Sequence, residues 1–282
     1  MEFAAEEGKS FSSDSHTLLL PALSIGNVGQ LAIDLLISSL RATKVGYLDE
    51  PSVLPCVGND AFAPVPQGDL SLSLEAYESA MHGLALIQQR SPIIKGMMIS
   101  FARNMAEFIH SIGKKDVLVL SSLDSGRRKQ IDASSDLQIY YVSSVSDDGS
   151  NPDCENLGWK KLDEYDSSQR RWKYLDSLAG GVSPDDEELL TDEEELTESD
   201  YYASMPFSVL FSCLKAKGLK VTCLLCYCSE GDNISDSFQL AHAACKLVGL
   251  NPEKFHGNEG GGWMIPFSWK SVYGPPPDMS LF

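Results

Sequence analysis

Apolar residues fall in short blocks along this chain, divided by polar, Gly- and Pro-rich punctuation. That rhythm predicts buried strands alternating with amphipathic helices. Leu18-Leu19-Leu20-Pro21-Ala22-Leu23 has the length of a buried strand, and Gly26, Asn27, Val28 and Gly29 then predict a tight turn. From Gln30 the period becomes helical. Ile33, Leu36, Ile37 and Leu40 form an apolar stripe bordered by Leu31 and Leu35, leaving Asp34, Ser38 and Arg41 for water. Val45–Leu48 predicts a short strand, followed by a Pro- and Gly-rich loop from Asp49 to Gly68. Leu70, Leu72, Leu74 and Ala76 alternate with mostly polar residues, as in one half-exposed strand, and Leu84–Gln88 reads as its more buried neighbour.

A helix is predicted after Ser91, the expected N-cap, with Pro92 at its first position and Gly113 just past its end. Met97, Met98, Phe101, Met105, Phe108, Ile109 and Ile112 make its stripe, which reads as core rather than as a binding surface. Val117–Leu120 is a predicted buried strand with a polar turn, Ser121 to Arg128, at its carboxyl end, and Leu137–Val142 supplies another strand. Trp159 and Lys160–Tyr165 suggest a short docked helix. Pro206–Lys217 reads as a helix closed by Gly218, Lys220–Cys228 as a buried strand, and Ile234–Val248 as a helix capped by Asp232 or Asn233 and ended by Gly249. Trp263, Trp269 and Tyr273 mark an aromatic and then Pro-rich tail that docks or extends. The pattern predicts an α/β class, with strands alternating with helices in one domain over residues 16–282. Residues 1–15 read as a mobile terminus and residues near 145–203 as an acidic insertion.

Composition changes this picture mainly through charge. The net charge is -18, and residues 147–200 alone hold 18 acidic and 5 basic side chains. Nucleic acid is therefore excluded as an expected partner. A membrane is also not expected, because no apolar run reaches the length of about 18 residues that a spanning helix needs. The opening MEFAAEEGKS lacks the basic and apolar regions of a secretory signal. Seven cysteines without an export signal predict free thiols in a reducing compartment, the cytoplasm and also the nucleus. Cys226 and Cys228 fall on one strand face and Cys223 on the other, so burial is preferred to metal binding, and no metal or cofactor is expected.

Candidate chemistry is sparse. Gly26, Asn27, Gly29 and Gln30 form a bare G-x-x-G turn between strand and helix. It has neither the third glycine of a dinucleotide loop nor the Lys-Ser/Thr of a mononucleotide loop, so a structural turn is expected. Ala32 suits close helix–sheet packing. Ser121, Ser122 and Asp124 follow a buried strand, where open α/β sheets bind ligands, and Arg127 and Arg128 add cations; ordinary loop polarity accounts for the same residues. Glu230 and Asp232 form a loose carboxylate pair in which Asp232 is already placed to cap a helix. His110 and His242 lie on predicted helices, and no G-x-S-x-G, H-E-x-x-H or P-loop is present. The chain reads as a non-enzyme. The competing reading is an α/β enzyme, or a nucleoside- or anion-binding protein, using the Gly26–Gln30 turn.

LPALSIGNVGQLAIDLL, then Lys44-Val45-Gly46-Tyr47-Leu48 and Pro55-Cys56-Val57-Gly58-Asn59, resembles the amino-terminal part of the proteasome assembly chaperone 2 family. Ser229-Glu230-Gly231-Asp232-Asn233 after a strand and Trp263-Met264-Ile265-Pro266-Phe267-Ser268-Trp269 before a Pro-rich tail extend the likeness in order along most of the chain; the acidic middle departs. The resemblance implies a single three-layer α/β domain, a mixed sheet with helices on both faces, that pairs with proteasome assembly chaperone 1 and, as a heterodimer, promotes assembly of the 20S proteasome α-ring. Proteasome α subunits are the implied further partners. Some relatives insert a carboxyl-terminal hydrophobic-Tyr-any tripeptide between α subunits. Here the sequence ends Ser280-Leu281-Phe282, and Val272-Tyr273-Gly274 fits the letters without being terminal. Tyr273, Leu281 and Phe282 are the candidate partner contacts, and tail insertion is assigned to the partner chain.

Overall fold

Alternation of apolar side chains at Leu18, Leu19 and Leu20 gives the central strand two buried faces, so helices must cover both. A computed structural model describes residues 1–63, 69–127, 138–181, 207–255 and 262–271. In chain order its elements are β1 (Glu2–Ala5), β2 (Thr17–Pro21), α1 (Val28–Ser39), β3 (Thr43–Asp49), β4 (Val57–Asn59), β5 (Leu70–Leu72), β6 (Leu74–Ser79) and β7 (Leu84–Gln89). There follow α2 (Met98–Ser111), β8 (Asp116–Asp124), β9 (Tyr140–Ser143), α3 (Pro152–Asn156), β10 (Lys160–Lys161) and α4 (Arg170–Ala179). The last three are α5 (Ser208–Ala216), β11 (Lys220–Cys228) and α6 (Ile234–Leu247).

Among the described residues the main sheet has nine strands in the order β1-β3-β6-β7-β2-β8-β11-β9-β10. The centre, β7-β2-β8-β11, is parallel; β6, β3 and β1 join antiparallel on one side, and β9 antiparallel on the other. Leu18, Leu20, Val117, Val119, Cys223 and Leu225 face a core shared with α2, α4 and α5. Leu19, Leu118, Leu120, Leu224, Cys226 and Cys228 face the opposite core, covered by α1 and α6. The fold is thus a mixed sheet between two helical layers, as the family resemblance implies and in keeping with the strand–helix alternation. The three cysteines of β11 divide between faces as expected, and all seven cysteines are free.

Several local expectations are corrected. Residues 1–15 include β1, which pairs with β3 from Glu2↔Asp49 to Ala5↔Gly46. The single strand expected over 70–76 is two: Leu70–Leu72 leaves the main sheet to pair with β4, while Ser73 is held at the bend by the Arg90 N–H at 2.8 Å. The helix expected after Ser91 begins only at Met98. Residues 92–94 stay extended because the Leu54 N–H donates to the Pro92 carbonyl and the Ile94 N–H to the Ser52 carbonyl. Its Met-rich stripe is mostly core, with Met105 1% exposed and Met97 on the surface. The helices α2, α5 and α6 end before Gly113, Gly218 and Gly249 as predicted.

Residues 145–181, expected within the acidic insertion, pack on the domain. Trp159 precedes β10, which pairs parallel with β9, rather than opening a helix. On α4, which the sequence reading passed over, Trp172 is buried beside Tyr165 at 4.7 Å between ring centroids, and its Nε1–H donates to the Glu164 carbonyl. The acidic run 185–200 lies outside the described residues.

Candidate functional site

The polypeptide leaves β2 toward α1 at the carboxyl edge of the parallel strands. This edge adjoins the point where connections diverge to either side, the usual ligand crevice of open α/β sheets. Gly26 (φ 59°) and Asn27 (φ 54°) both take the left-handed conformation, and α1 starts at Val28, two residues earlier than expected. Gly29 therefore belongs to the helix. Its need is space: a Cβ there would lie 2.3 Å from the Leu120 carbonyl oxygen, so its absence lets α1 lie directly on β8.

The polar groups of this turn are largely engaged within the protein. The Asn27 N–H donates to the Ser24 carbonyl and the Val28 N–H to the Ile25 carbonyl. Ser24 Oγ accepts from the Gly29 N–H at 3.2 Å and lies 2.6 Å from Ser122 Oγ, which donates to the Ile25 carbonyl at 2.7 Å. Ser121 Oγ donates to the Leu23 carbonyl at 3.1 Å. Asn233 closes the remaining side, with Nδ2 2.0 Å from where a Gly26 Cβ would be. Three N–H donors that an anion would need at this helix start are already taken.

Ser121 and Ser122, expected in a polar loop, are instead in β8 and fully buried. The parallel pairing with β11 continues to Asp124↔Cys228, and their hydroxyls stay bonded, so burial carries little penalty. Asp124 accepts from the Gly126 N–H and closes its own turn; Arg127 ends that turn, and Arg128 lies outside the described residues. Asp232 accepts from the Ile234 N–H at the start of α6, its expected capping role, while Glu230 is exposed beside it. Tyr273, Leu281 and Phe282, with Val272 and Gly274, lie outside the described residues. Among the described residues no His, Cys, Asp and Glu side chains gather as a metal site, and no helix is long and apolar enough to cross a membrane.

On the other side of the turn lies an open cleft of about 450 Å³, bordered by Asn27, Gln30, Gln89, Arg90 and Ser91, with Leu23 and Pro92 at its lip. Its base is a buried charge cluster that the sequence reading missed. Arg90 Nε donates to Glu75 Oε2 at 2.5 Å, and its Nη2 stands 3.1 Å from Asp34 Oδ1. Glu75 is fully buried, and Asp34 is 8% exposed rather than facing water, because α1 is covered on that side too. Ser38 is buried for the same reason, whereas Arg41 is exposed as expected. Burial opposes the Arg90 charge, but Asp34 and Glu75 outweigh it and raise the guanidinium pKa above its ordinary value. The sequence signal was available in Gln88-Gln89-Arg90, three polar residues ending an otherwise apolar strand. Gln88 Nε2 donates to the Gln30 carbonyl at 2.9 Å, tying α1 to β7, whereas Gln30 Oε1 is buried without a donor among the described residues.

The described part of this edge offers amides, hydroxyls and an ion cluster of one guanidinium with two carboxylates, and no histidine lines the cleft. Comparison with known proteins gives the context. The PAC2 family pattern matches residues 18–251. The chain is 34% identical over 245 residues to proteasome assembly chaperone 2 of Nematostella vectensis, spanning 84% of this chain and 90% of that protein. It is 30% identical over 276 residues to proteasome assembly chaperone 2 of Homo sapiens, spanning 94% of each. Among solved structures it is similar in fold to Pyrococcus furiosus PbaA, an archaeal homolog of proteasome-assembly chaperone, with TM-score 0.56, 14% identity and coverage of 86% of this chain and 85% of that one. Pyrococcus furiosus PbaB, an archaeal proteasome activator, gives TM-score 0.55 at 14% identity, covering 89% of both chains. With the family pattern matched over nearly the whole described fold, this chain belongs to the PAC2 family.

Proposed function

We propose that the chain is a non-catalytic assembly chaperone that pairs with proteasome assembly chaperone 1 and, as that heterodimer, promotes assembly of the 20S proteasome α-ring. The observation that carries the reading is the alignment, over 84% of the chain in one case and 96% in another, to relatives named proteasome assembly chaperone 2. The edge geometry supports it, because the Gly26–Gly29 turn spends its N–H groups on Ser24 and the adjoining backbone and leaves little for a phosphate. Proteasome α subunits are the partners of the pair, and the place of action is the cytoplasm, with the nucleus second.

The test is co-expression of the tagged chain with proteasome assembly chaperone 1, followed by exposure to α subunits. A one-to-one heterodimer that captures α subunits is expected. A monomer that ignores proteasome assembly chaperone 1, or one that turns over a nucleoside substrate, would overturn the reading.

A further inference from the structure

We propose that the cleft between α1 and the carboxyl end of β7 binds a small neutral molecule carrying a vicinal diol, of the kind found in sugars and nucleosides. Among the described residues five buried side-chain nitrogen or oxygen atoms lack a hydrogen-bond partner. Three of them, Gln30 Oε1, Asp34 Oδ1 and Arg90 Nη2, belong to residues lining this one cleft. Asp34 is only 8% exposed, and its Oδ1 stands 3.1 Å from Arg90 Nη2 in an ion pair that is not aligned as a hydrogen bond. A buried polar atom without a partner carries its full desolvation penalty, so three in one place mark where a complementary molecule gains most. The cleft, about 450 Å³, is of small-molecule size and opens at the carboxyl edge of the parallel strands.

The donor and acceptor set decides the chemistry of the ligand. Asp34 Oδ1 and Gln30 Oε1 accept, and Arg90 Nη2 donates. A bound anion would accept from Arg90 Nη2, but it would sit against Asp34 Oδ1 and leave both acceptors unpaired. A cation would serve the acceptors and meet the Arg90 guanidinium. With Nη2 and Oδ1 3.1 Å apart, one oxygen can reach both if it accepts from the first and donates to the second. A hydroxyl does so. Gln30 and Asp34 lie four residues apart on one face of α1, so an adjacent hydroxyl meets the Gln30 amide and pairs with either end of it. Leu23 and Pro92 at the lip give the C–H face of a sugar ring an apolar contact. No histidine or cysteine lines the cleft, so binding is assigned and not turnover. The site is independent of the assembly role, which stands whether or not a diol binds.

The experiment follows backbone amide signals of the isotope-labelled full-length chain by NMR. The probes are adenosine, methyl ribofuranoside, the dideoxy counterpart of each without the vicinal hydroxyls, and inorganic phosphate. Adenosine or the riboside is expected to move signals of residues 27–34 and 88–91, and the tighter of the two identifies a nucleoside or a free sugar as the source. The dideoxy counterpart is expected to bind at least about tenfold more weakly. Gln30→Leu removes the amide but keeps the ion cluster and the Gln30 carbonyl that accepts from Gln88, and it is expected to weaken binding about three- to tenfold. Met81→Glu, 87% exposed at the opposite end of β7, is the control and is expected to leave binding within about twofold. The dideoxy comparison uses the unmodified chain and holds whether or not the Gln30 variant folds. Dideoxy compounds that bind as tightly as their parents, a folded Gln30→Leu chain that binds undiminished, or phosphate moving the same signals more strongly would each overturn the proposal. So would signals unmoved by either diol at millimolar concentration, with ordered water alone against the three atoms in a crystal of the soaked protein.

Discussion

Gly26 and Gly29 look alike in the sequence, three residues apart around one turn, yet they answer different demands. Gly26 supplies a positive φ, and its missing side chain makes room for Asn233; Gly29 is helical, and its missing side chain makes room for the Leu120 carbonyl. Gly29→Val should destabilise the fold by about 2–4 kcal/mol, because backbone on both sides must separate. Gly26→Ala should cost on the order of 1–3 kcal/mol, since its strain is local and Asn233 is a side chain that can turn away. Urea melts of the two variants check the order, and a Gly29 variant more stable than the Gly26 variant would contradict it. The buried thiols give a second prediction. Burial pushes Cys154 and Cys245 from 9.0 up to about 12, so both stay protonated in the fold. The unfolded chain ionises from about pH 9, and the fold is therefore fully favoured below that pH and loses stability as pH rises from 9 toward 12. The slope is up to about 1.4 kcal/mol per pH unit for each thiol. Chemical unfolding between pH 8 and pH 11 measures it, and Cys245→Ala should flatten the curve.

At the scale of elements, α1, β6 and β7 are joined by Arg90 to Asp34 and Glu75. Period and polarity misled here: Glu75 and Asp34 occupy positions that a strand with one wet face and a helix with one wet face would expose. The third layer and the neighbouring strands bury them, and Arg90 is what makes that burial tolerable. Arg90→Met should cost about 3–5 kcal/mol by leaving Glu75 charged in a dry site, with Lys44 at 3.8 Å as its remaining cation. Arg90→Met with Glu75→Gln should recover part of that loss; a double variant as unstable as the single one would show that packing, not charge, dominates. The α4 helix makes a similar point. Its polar composition hid Trp172, whose ring packs on Tyr165, Phe207 and Phe211. Trp172→Ala should cost about 3–5 kcal/mol in a thermal or urea melt, whereas a loss below about 1 kcal/mol would mean that α4 is dispensable to the core.

For the whole molecule, the acidic middle divides into two parts of different consequence. Residues 145–181 are tied to both neighbouring layers, through β10 on β9 and Trp172 against α5. The run from 185 to 200 is composed of side chains with little apolar area to bury. Deleting residues 183–199 should leave the cooperative melt within about 0.5 kcal/mol of the parent. Extending the deletion back to residue 165 should abolish folding. Circular dichroism on the two deletions separates these cases, and a folded longer deletion would contradict the assigned boundary.

Runs of uninterrupted apolar residues at 18–20, 117–120 and 223–228 marked the central parallel strands in the sequence, because a strand buried on both faces must be mostly apolar. Stripes and glycine stops did the same for α2, α5 and α6, and the ordered signatures from Leu18 to Trp269 carried the family likeness. Tertiary structure alone decided what depends on distant neighbours. Ser121 and Ser122 are buried because β11 pairs past them; Asp34 and Glu75 are buried because Arg90 arrives from another strand; residues 92–94 are extended because residues 52–54 bind them. Local sequence records the propensity of each segment, whereas the partner that satisfies a buried charge or an unpaired peptide group comes from tens of residues away, and only the assembled fold names it.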